Sequence, residues 1–289
     1  MKAKSSHLFF ILPVLCYILA LIVYPITFNV YLSLLNWSVA NPNPTFIGLV
    51  NYLQLFSDNL FWISLENTIK YAAIIAPSHL VIGLLLALAL NLPAWENHKR
   101  LRNILLPLLV LPGPLAPISV GTIWKWAFDP AYSFLSRTPL QWIVEINWLG
   151  SMDLALLAVC FVEIWRGYPL AMLLLLGAVS TIPAELYESA QIDGATTLRM
   201  FRSITLPLLR NALILVTVLD TLWVLTSFDT ILLLTGGGPT YSTLNLSLLV
   251  WMKGFENWEF SYAASLGTVT AIIFLSFSYL MVKRYQIGE

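Results

Sequence analysis

Residues 183–207 read PAELYESAQIDGATTLRMFRSITLP. The stretch is polar and charged, yet a long apolar run stands on each side of it, Leu154–Ser180 before and Leu208–Thr235 after. Apolar runs of that length cross a bilayer as helices. A charged segment between two of them lies in water or against another protein. Its own signals predict helix, turn, helix. Thr181 is placed to cap the first helix, Pro183 suits its first turn, and Glu185 and Glu188 favour a helix N-terminus. Gly194 after Asp193 supplies a sharp bend, and Thr196 or Thr197 starts a second helix that carries Arg199 and Arg202. Pro207 begins the next span. On the first helix Leu186, Tyr187 and Ala190 form a compact face, and small Ala190, Gly194 and Ala195 let another backbone come close. Two readings stand side by side: an amphipathic helix lying on the membrane, or a docking element for a partner protein. The mixed charge weighs against a lipid surface and for a protein.

Working outward, the composition sets this segment in an integral membrane protein. Hydrophobic residues make up 58% of the chain and charged residues only 10%, against about 25% charged in a soluble domain. The 11 Trp suit interfacial belts. A net charge of zero gives nucleic-acid binding no electrostatic support. Cys16 and Cys160 fall inside apolar runs, without metal or disulfide spacing, and read as buried small hydrophobes. Six runs are long enough to span: Leu8–Leu34, Asn67–Leu92, Asn103–Trp126, Leu154–Ser180, Leu208–Thr235 and Phe260–Val282. The first is too long for a signal peptide and is expected to be retained. The expectation is an all-α integral membrane protein with six transmembrane helices, a single domain over residues 1–289, and a cytoplasmic loop at 181–207.

Orientation follows from the basic residues. Lys2, Lys4, Lys99, Arg100, Arg102, Arg199, Arg202, Arg210, Lys283 and Arg284 fall on one side. Only Lys70, Lys125, Arg137, Arg166 and Lys253 fall on the other side or at span ends, and Leu35–Glu66 has no Lys or Arg at all. Both termini and residues 183–207 are therefore expected in the cytoplasm. The third span holds Pro107, Pro112, Pro114 and Pro117, so it is kinked or broken. A broken helix persists in lipid only where protein or a cavity satisfies its backbone. Such a helix either lines a pathway or faces a subunit, or it is a packing helix with a kink. The connection Ala127–Asp153, with Trp142 and Trp148, reads as a short amphipathic piece at the outer interface. Gly236, Gly237, Gly238 and Pro239 mark an abrupt turn after the fifth span.

Four ionisable residues lie within apolar runs: Glu163, Arg166, Asp220 and Asp229. Each costs a few kcal/mol near the bilayer centre, so each is expected to face protein or water. Glu163 and Arg166 are three apart and share a helix face, where they can pair. They are either a structural ion pair or a polar lining for a hydroxyl-rich solute. Asp229 reads as structural, and His7, His79 and His98 as members of no constellation. The chain has no Gly-rich phosphate loop followed by Lys-Ser/Thr, no nucleophile–base arrangement and no metal cluster.

Glu185-Leu-Tyr-Glu-Ser-Ala-Gln-Ile-Asp-Gly-Ala195, followed by Phe201 and Ile204-Thr-Leu-Pro207, resembles the EAA loop of binding-protein-dependent ABC importer permeases. The name-giving triplet is here Glu188-Ser189-Ala190, with Ser for the middle Ala. Phe46-Ile-Gly-Leu-Val-Asn-Tyr52, Asn67-Thr68, Trp165-Arg-Gly-Tyr-Pro169, Phe228-Asp229 and Leu234-Thr-Gly-Gly-Gly-Pro-Thr240 are similar to the sugar-importer branch, the last of them to the first of its two permeases. The resemblance implies the type I importer permease fold. It implies that residues 183–207 hold the coupling helix, docked on an ATPase through Glu188, Ala190, Asp193 and Gly194, with Glu185 in the same segment. ATP and Mg would be bound by that partner and no cofactor by this chain. The other implied partners are a second, non-identical permease, a second ATPase and an extracytoplasmic solute-binding protein, all at a bacterial plasma membrane. The resemblance also implies a mid-membrane pocket with Arg166, Gly167 and Leu170 on the fourth span, and Asp220, Val224 and Ser227 on the fifth, and Glu163 joins this pathway set as the helix-face neighbour of Arg166. Trp223 beside them either stacks on a sugar ring or packs. The cargo implied is a sugar, oligosaccharide or glycoside osmolyte, with glycerol phosphate as the alternative and Arg166 as its cation. A stand-alone secondary transporter would leave the charged loop unexplained, and a membrane enzyme would need a catalytic constellation that the scattered acids do not make.

Overall fold

The computed structural model describes residues 5–131, 133, 136, 138 and 145–286. Lys2, Lys4, Arg137 and Trp142, used above for orientation and for an interfacial piece, lie outside the described residues. The chain forms two compact units, Met1–Trp62 with Leu249–Ile273, and Ile63–Leu248 with Phe274–Glu289.

In the first unit, α1 (Ser5–Ile18) continues through a π-helical turn at Leu19–Val23 into α2 (Tyr24–Ser33). A two-stranded antiparallel hairpin, β1 (Leu35–Asn36) and β2 (Thr45–Phe46), leads to α3 (Val50–Ser57). Asn51 on α3 is buried and donates to the carbonyls of Ser33 and Leu35 at 2.8 and 2.7 Å, closing the end of α2. Asn29 donates to Ala264 O at 3.2 Å, and Tyr262 donates to Asp58 at 2.7 Å. Cys16 is exposed, contrary to expectation. In the apolar helix Ile11–Ser33 only Ser33, at its end, is buried within the chain.

In the second unit, α4 (Asn59–Leu90) starts eight residues before the expected Asn67. Asp58 Oδ1 accepts from Leu60 N at 2.9 Å and so provides a start signal that hydropathy does not see. The expected third span is two helices, α5 (Lys99–Val110) and α6 (Pro117–Ala127), with non-helical chain between them, as its prolines predict. The fourth span is α7 (Ala155–Val179). The polar loop holds α8 (Ala184–Ile192) and α9 (Thr197–Met200), and a π-helical turn at Phe201–Thr205 joins α9 to α10 (Leu206–Thr226). Pro207 stands in the first turn of α10, as expected, but the helical path from Thr197 reaches it without a break. The wider π turn accommodates a residue without an N–H. A break at Ser227 and Phe228, signalled by no proline or glycine, precedes α11 (Asp229–Leu234). In chain order α12 (Leu246–Trp251), a π turn at Met252–Glu256 and α13 (Phe260–Gln286) follow, their residues 249–273 belonging to the first unit. Among the described residues five helical stretches are long and apolar enough to cross a membrane: Ile11–Ser33, Asn59–Leu90, Ala155–Val179, Thr197–Leu234 and Phe260–Lys283.

Lipid tails are as apolar as Leu, so these helices associate by close packing and polar contacts rather than by hiding oil from water. Small residues make the approach possible. A Cβ on Gly83 of α4 would lie 2.8 Å from Met172 N and 2.9 Å from Ala171 Cβ on α7. Around this contact Ala87, Leu90, Ala171, Met172, Leu175 and Val216 form a buried cluster joining α4, α7 and α10. The glycine turn has its own clamp. Gly236 and Gly237 take φ of +59° and +89°, a region natural to glycine. Asn67 of α4 donates to the carbonyls of Tyr241 and Leu244 at 2.9 and 3.0 Å, and Thr68 Oγ1 accepts from Leu246 N at 2.9 Å.

Candidate functional site

The centre of the second unit holds a buried polar network. Glu163 on α7 is 1% exposed and takes an Arg166 guanidinium N–H at 3.1 Å. The second carboxylate oxygen accepts a short hydrogen bond from Thr230 on α11, and Ser227 Oγ lies 3.4 Å from the first. Asp220 on α10 is 7% exposed, and both its oxygens face His79 Nδ1 of α4, at 2.9 and 3.0 Å. The other ring nitrogen, Nε2, is 3.1 Å from the Glu163 carbonyl. A carbonyl only accepts, so Nε2 carries its hydrogen and donates. One imidazole thus braces α4, α7 and α10. Gly167 makes room for it, because a Cβ there would collide with the His79 ring. His79, read above as belonging to no constellation, is the residue that sequence reasoning missed. Its partners lie 84 and 141 positions away, and no local pattern marks such a contact.

The segment Trp165–Pro169 shows how a sequence motif becomes packing. Trp165 meets Trp124 of α6 edge to face at 5.5 Å. Arg166 pairs with Glu163, and Gly167 clears space for His79. Tyr168 donates to Leu109 O at 2.8 Å, near the end of α5 where the helix breaks. The break after Thr226 is satisfied in the same way. Asn245 Nδ2 donates to Ser227 O at 2.8 Å, and Ser247 donates to Leu225 O at 3.1 Å. Irregular backbone at membrane depth is tolerated where protein supplies such donors.

Of the expected pocket residues, the structure gathers Glu163, Arg166, Gly167, Asp220 and Ser227 around one network, with His79 and Thr230 added. Val224 is fully buried beside Asp220 on α10. Leu170 and Trp223 are not part of this buried network and are 50% and 62% exposed. Asp229 opens the first turn of α11, a structural position.

In the polar loop, Gly194 takes φ +75° and makes the expected bend, and Thr196 Oγ1 accepts from Arg199 N at 3.4 Å. Thr181 does not cap α8. Its hydroxyl bonds back to Ala178 O at 2.8 Å, and Pro183 occupies the cap position without a side-chain bond. The compact face expected from Leu186, Tyr187 and Ala190 is split. Tyr187 and Ala190 are half-buried against the chain itself, whereas Leu186 is exposed with Glu185, Glu188, Ser189, Asp193 and Gly194. Ile192 is 87% exposed, an apolar side chain that the sequence reading did not single out.

Residues 80–286 match the family model of binding-protein-dependent transport system inner membrane components. The chain belongs to this family. A permease of this family is a transport component of an ABC importer and is not catalytic on its own. The trehalose/maltose transport system permease protein MalF of Thermococcus litoralis is 33% identical over 99% of this chain and 95% of its own length. The sulfoquinovosyl glycerol transport system permease protein SmoG of Agrobacterium fabrum is 34% identical over 86% of this chain and 80% of its own. The crystal structure of a bacterial ABC transporter involved in the import of the acidic polysaccharide alginate superposes with a TM-score of 0.83. It has 22% identity and covers 98% of this chain and 96% of that one. At that identity the likeness establishes the type I permease fold.

Proposed function

We propose that this permease is one of two similar but non-identical subunits that together form the pathway of an ATP-driven saccharide importer, at a bacterial plasma membrane with both termini inside. Two separate ATPase subunits bind ATP and Mg. An extracytoplasmic binding protein delivers a sugar, oligosaccharide or glycoside osmolyte. ATP binding closes the ATPases, and the coupling segment, with Glu185, Glu188, Ala190, Asp193 and Gly194, carries that motion into α10. The pathway then opens outward, and hydrolysis resets it inward. The observation that carries this reading is continuity: from Thr197 one helical path runs from the exposed loop through α10 to the buried network around Asp220 and Ser227.

The saccharide assignment draws on relatives named for trehalose/maltose, for sulfoquinovosyl glycerol and for multiple sugars. It also fits the charge arrangement. Arg166 is already paired with Glu163, which disfavours it as the cation for a glycerol phosphate. Glu163, Arg166, Gly167, Asp220, Val224 and Ser227 shape the wall of the pathway, and Leu170 and Trp223 offer the open apolar surface for a sugar face.

The test is uptake of labelled trehalose, maltose, maltodextrin, glucosylglycerol and glycerol phosphate by native cells with and without this gene, with ATP intact and depleted. ATP-dependent loss of one saccharide class is expected. Loss of glycerol phosphate alone would overturn the saccharide reading, and uptake that persists without ATP would overturn the ABC mechanism.

A further inference from the structure

We infer that the hydroxyl pair Tyr187–Thr205, set on the π-helical turn Phe201–Thr205, is the joint that locks the coupling helix to α10. The inference rests on the coupling role proposed above and names the contact through which it works. Tyr187 is, with Ala190, a half-buried side chain of α8, and its hydroxyl lies 2.9 Å from Thr205 Oγ1. Thr205 is 3% exposed and closes the π turn, in which Leu206 N–H reaches back to Phe201 O. A π turn widens the helix and frees it from strict α register, and such turns recur at functional sites. Here the wide turn ends at Thr205, two positions before Pro207, so the helix is softened at one level. A side chain from the coupling helix holds it at that same level.

Beyond the joint the path is stiff. The fifteen residues from Thr205 to Asp220 span about 22 Å of α-helix. Asp220 then engages His79 on α4, which in turn holds the α7 backbone at Glu163. Without the Tyr187 bond, α8 could tilt on the Gly194 bend (φ +75°) and let the π turn absorb the motion. With it, displacement of α8 becomes displacement of α10. Tyr187 and Thr205 are therefore positioning residues. They touch neither ATP nor solute.

The experiment uses the intact transporter, captured through a tag on this chain from native cells and placed in nanodiscs. The parent has Cys16→Ser and Cys160→Ala, with Thr226→Cys at the end of α10 as a reporter for a water-soluble maleimide. Labelling is timed without ATP and after trapping with ATP and vanadate, and phosphate release is measured on the same sample. The parent is expected to label at different rates in the two states. Tyr187→Phe and Thr205→Val keep the ATPase bound and hydrolysing but shrink that difference about fivefold, the weight of roughly one hydrogen bond. Thr205→Ser restores it, and the double variant is no worse than either single one. A Tyr187→Phe complex that hydrolyses ATP and labels like the parent overturns the joint alone. Loss of the ATPase from Tyr187→Phe makes Tyr187 a docking residue and also overturns it. A parent whose labelling ignores ATP overturns the transmission through α10. A parent that captures no ATPase overturns the coupling reading itself.

Discussion

The buried network and the coupling segment are both polar, and they solve opposite problems. Around Glu163 every carboxylate and the His79 ring find partners within the chain, across four helices. On α8 and at its C-terminal cap the acidic side chains Glu185, Glu188 and Asp193 stand exposed beside Leu186 and Ile192. Charge in the membrane must be answered by the fold itself, because an unanswered ion there costs several kcal/mol. Charge in water can wait for a partner. The same residue types therefore have different consequences when removed: from the network they take stability, from α8 they take association.

The largest effect is expected at Glu163. Glu163→Ala leaves Arg166 buried and uncompensated and removes the acceptor of Thr230, a loss of about 3–5 kcal/mol for a broken buried pair. Yield of folded chain after detergent extraction should collapse, with Glu163→Gln intermediate. A normal yield for Glu163→Ala would mean that water reaches the pair and that it is a wet lining rather than a brace.

Gly167→Ala comes next. The new methyl meets the His79 ring, which two hydrogen bonds hold in place, so overpacking of about 1–3 kcal/mol is expected. Combined with His79→Ala the two losses should not add, because the second change removes the atoms that the first collides with. Thermal unfolding of the four purified chains measures the coupling. Strict additivity would separate Gly167 from His79 and undo the assignment of the brace.

Gly194→Val shifts the comparison to the other region. A Cβ there would meet nothing within 4 Å, so its cost is purely the backbone at φ +75°, about 1–2 kcal/mol. That strain falls on an exposed turn and not on the helix core. Folded yield should stay near normal while capture of the ATPase and uptake both fall. A drop in yield as large as that of Gly167→Ala would show that the bend supports the fold as much as the docking.

What could be read beforehand divides along the same line. Local rules worked where the cause was local: Pro112, Pro114 and Pro117 broke the third span while Pro107 was carried inside α5, Gly194 made its bend, and Glu163 and Arg166 paired across one helical turn. They failed where the cause was distant or structural. His79 looks like any lone histidine until α4 is packed against α7 and α10. The break at Ser227 has no glycine or proline, and only Asn245 and Ser247, far along the chain, show why its carbonyls can be left by the helix. Pro207 stands in the first turn of α10 as expected, but the π turn just ahead of it, which no local signal announces, joins α10 to α9 without a gap. On α8 the small residue Ala190 is half-buried within the chain, beside exposed Ser189 and Glu188.

Ile192 gives the smallest effect on the chain and the sharpest contrast with Glu163. It is 87% exposed, so Ile192→Ala should change stability by less than about 0.5 kcal/mol, the range of an ordinary surface substitution. An exposed β-branched side chain at the end of a polar helix is nonetheless an apolar anchor of the kind that interfaces bury. If α8 docks by this face, Ile192→Ala will weaken ATPase capture several-fold at unchanged yield and unfolding temperature. The partner control is Leu198→Ala, 58% exposed on α9 after the bend, which should matter less if docking is confined to α8. Equal loss from both would extend the interface across Gly194. No loss from Ile192→Ala would leave the acidic side chains of α8 as the whole of the contact, and docking should then weaken steeply with salt.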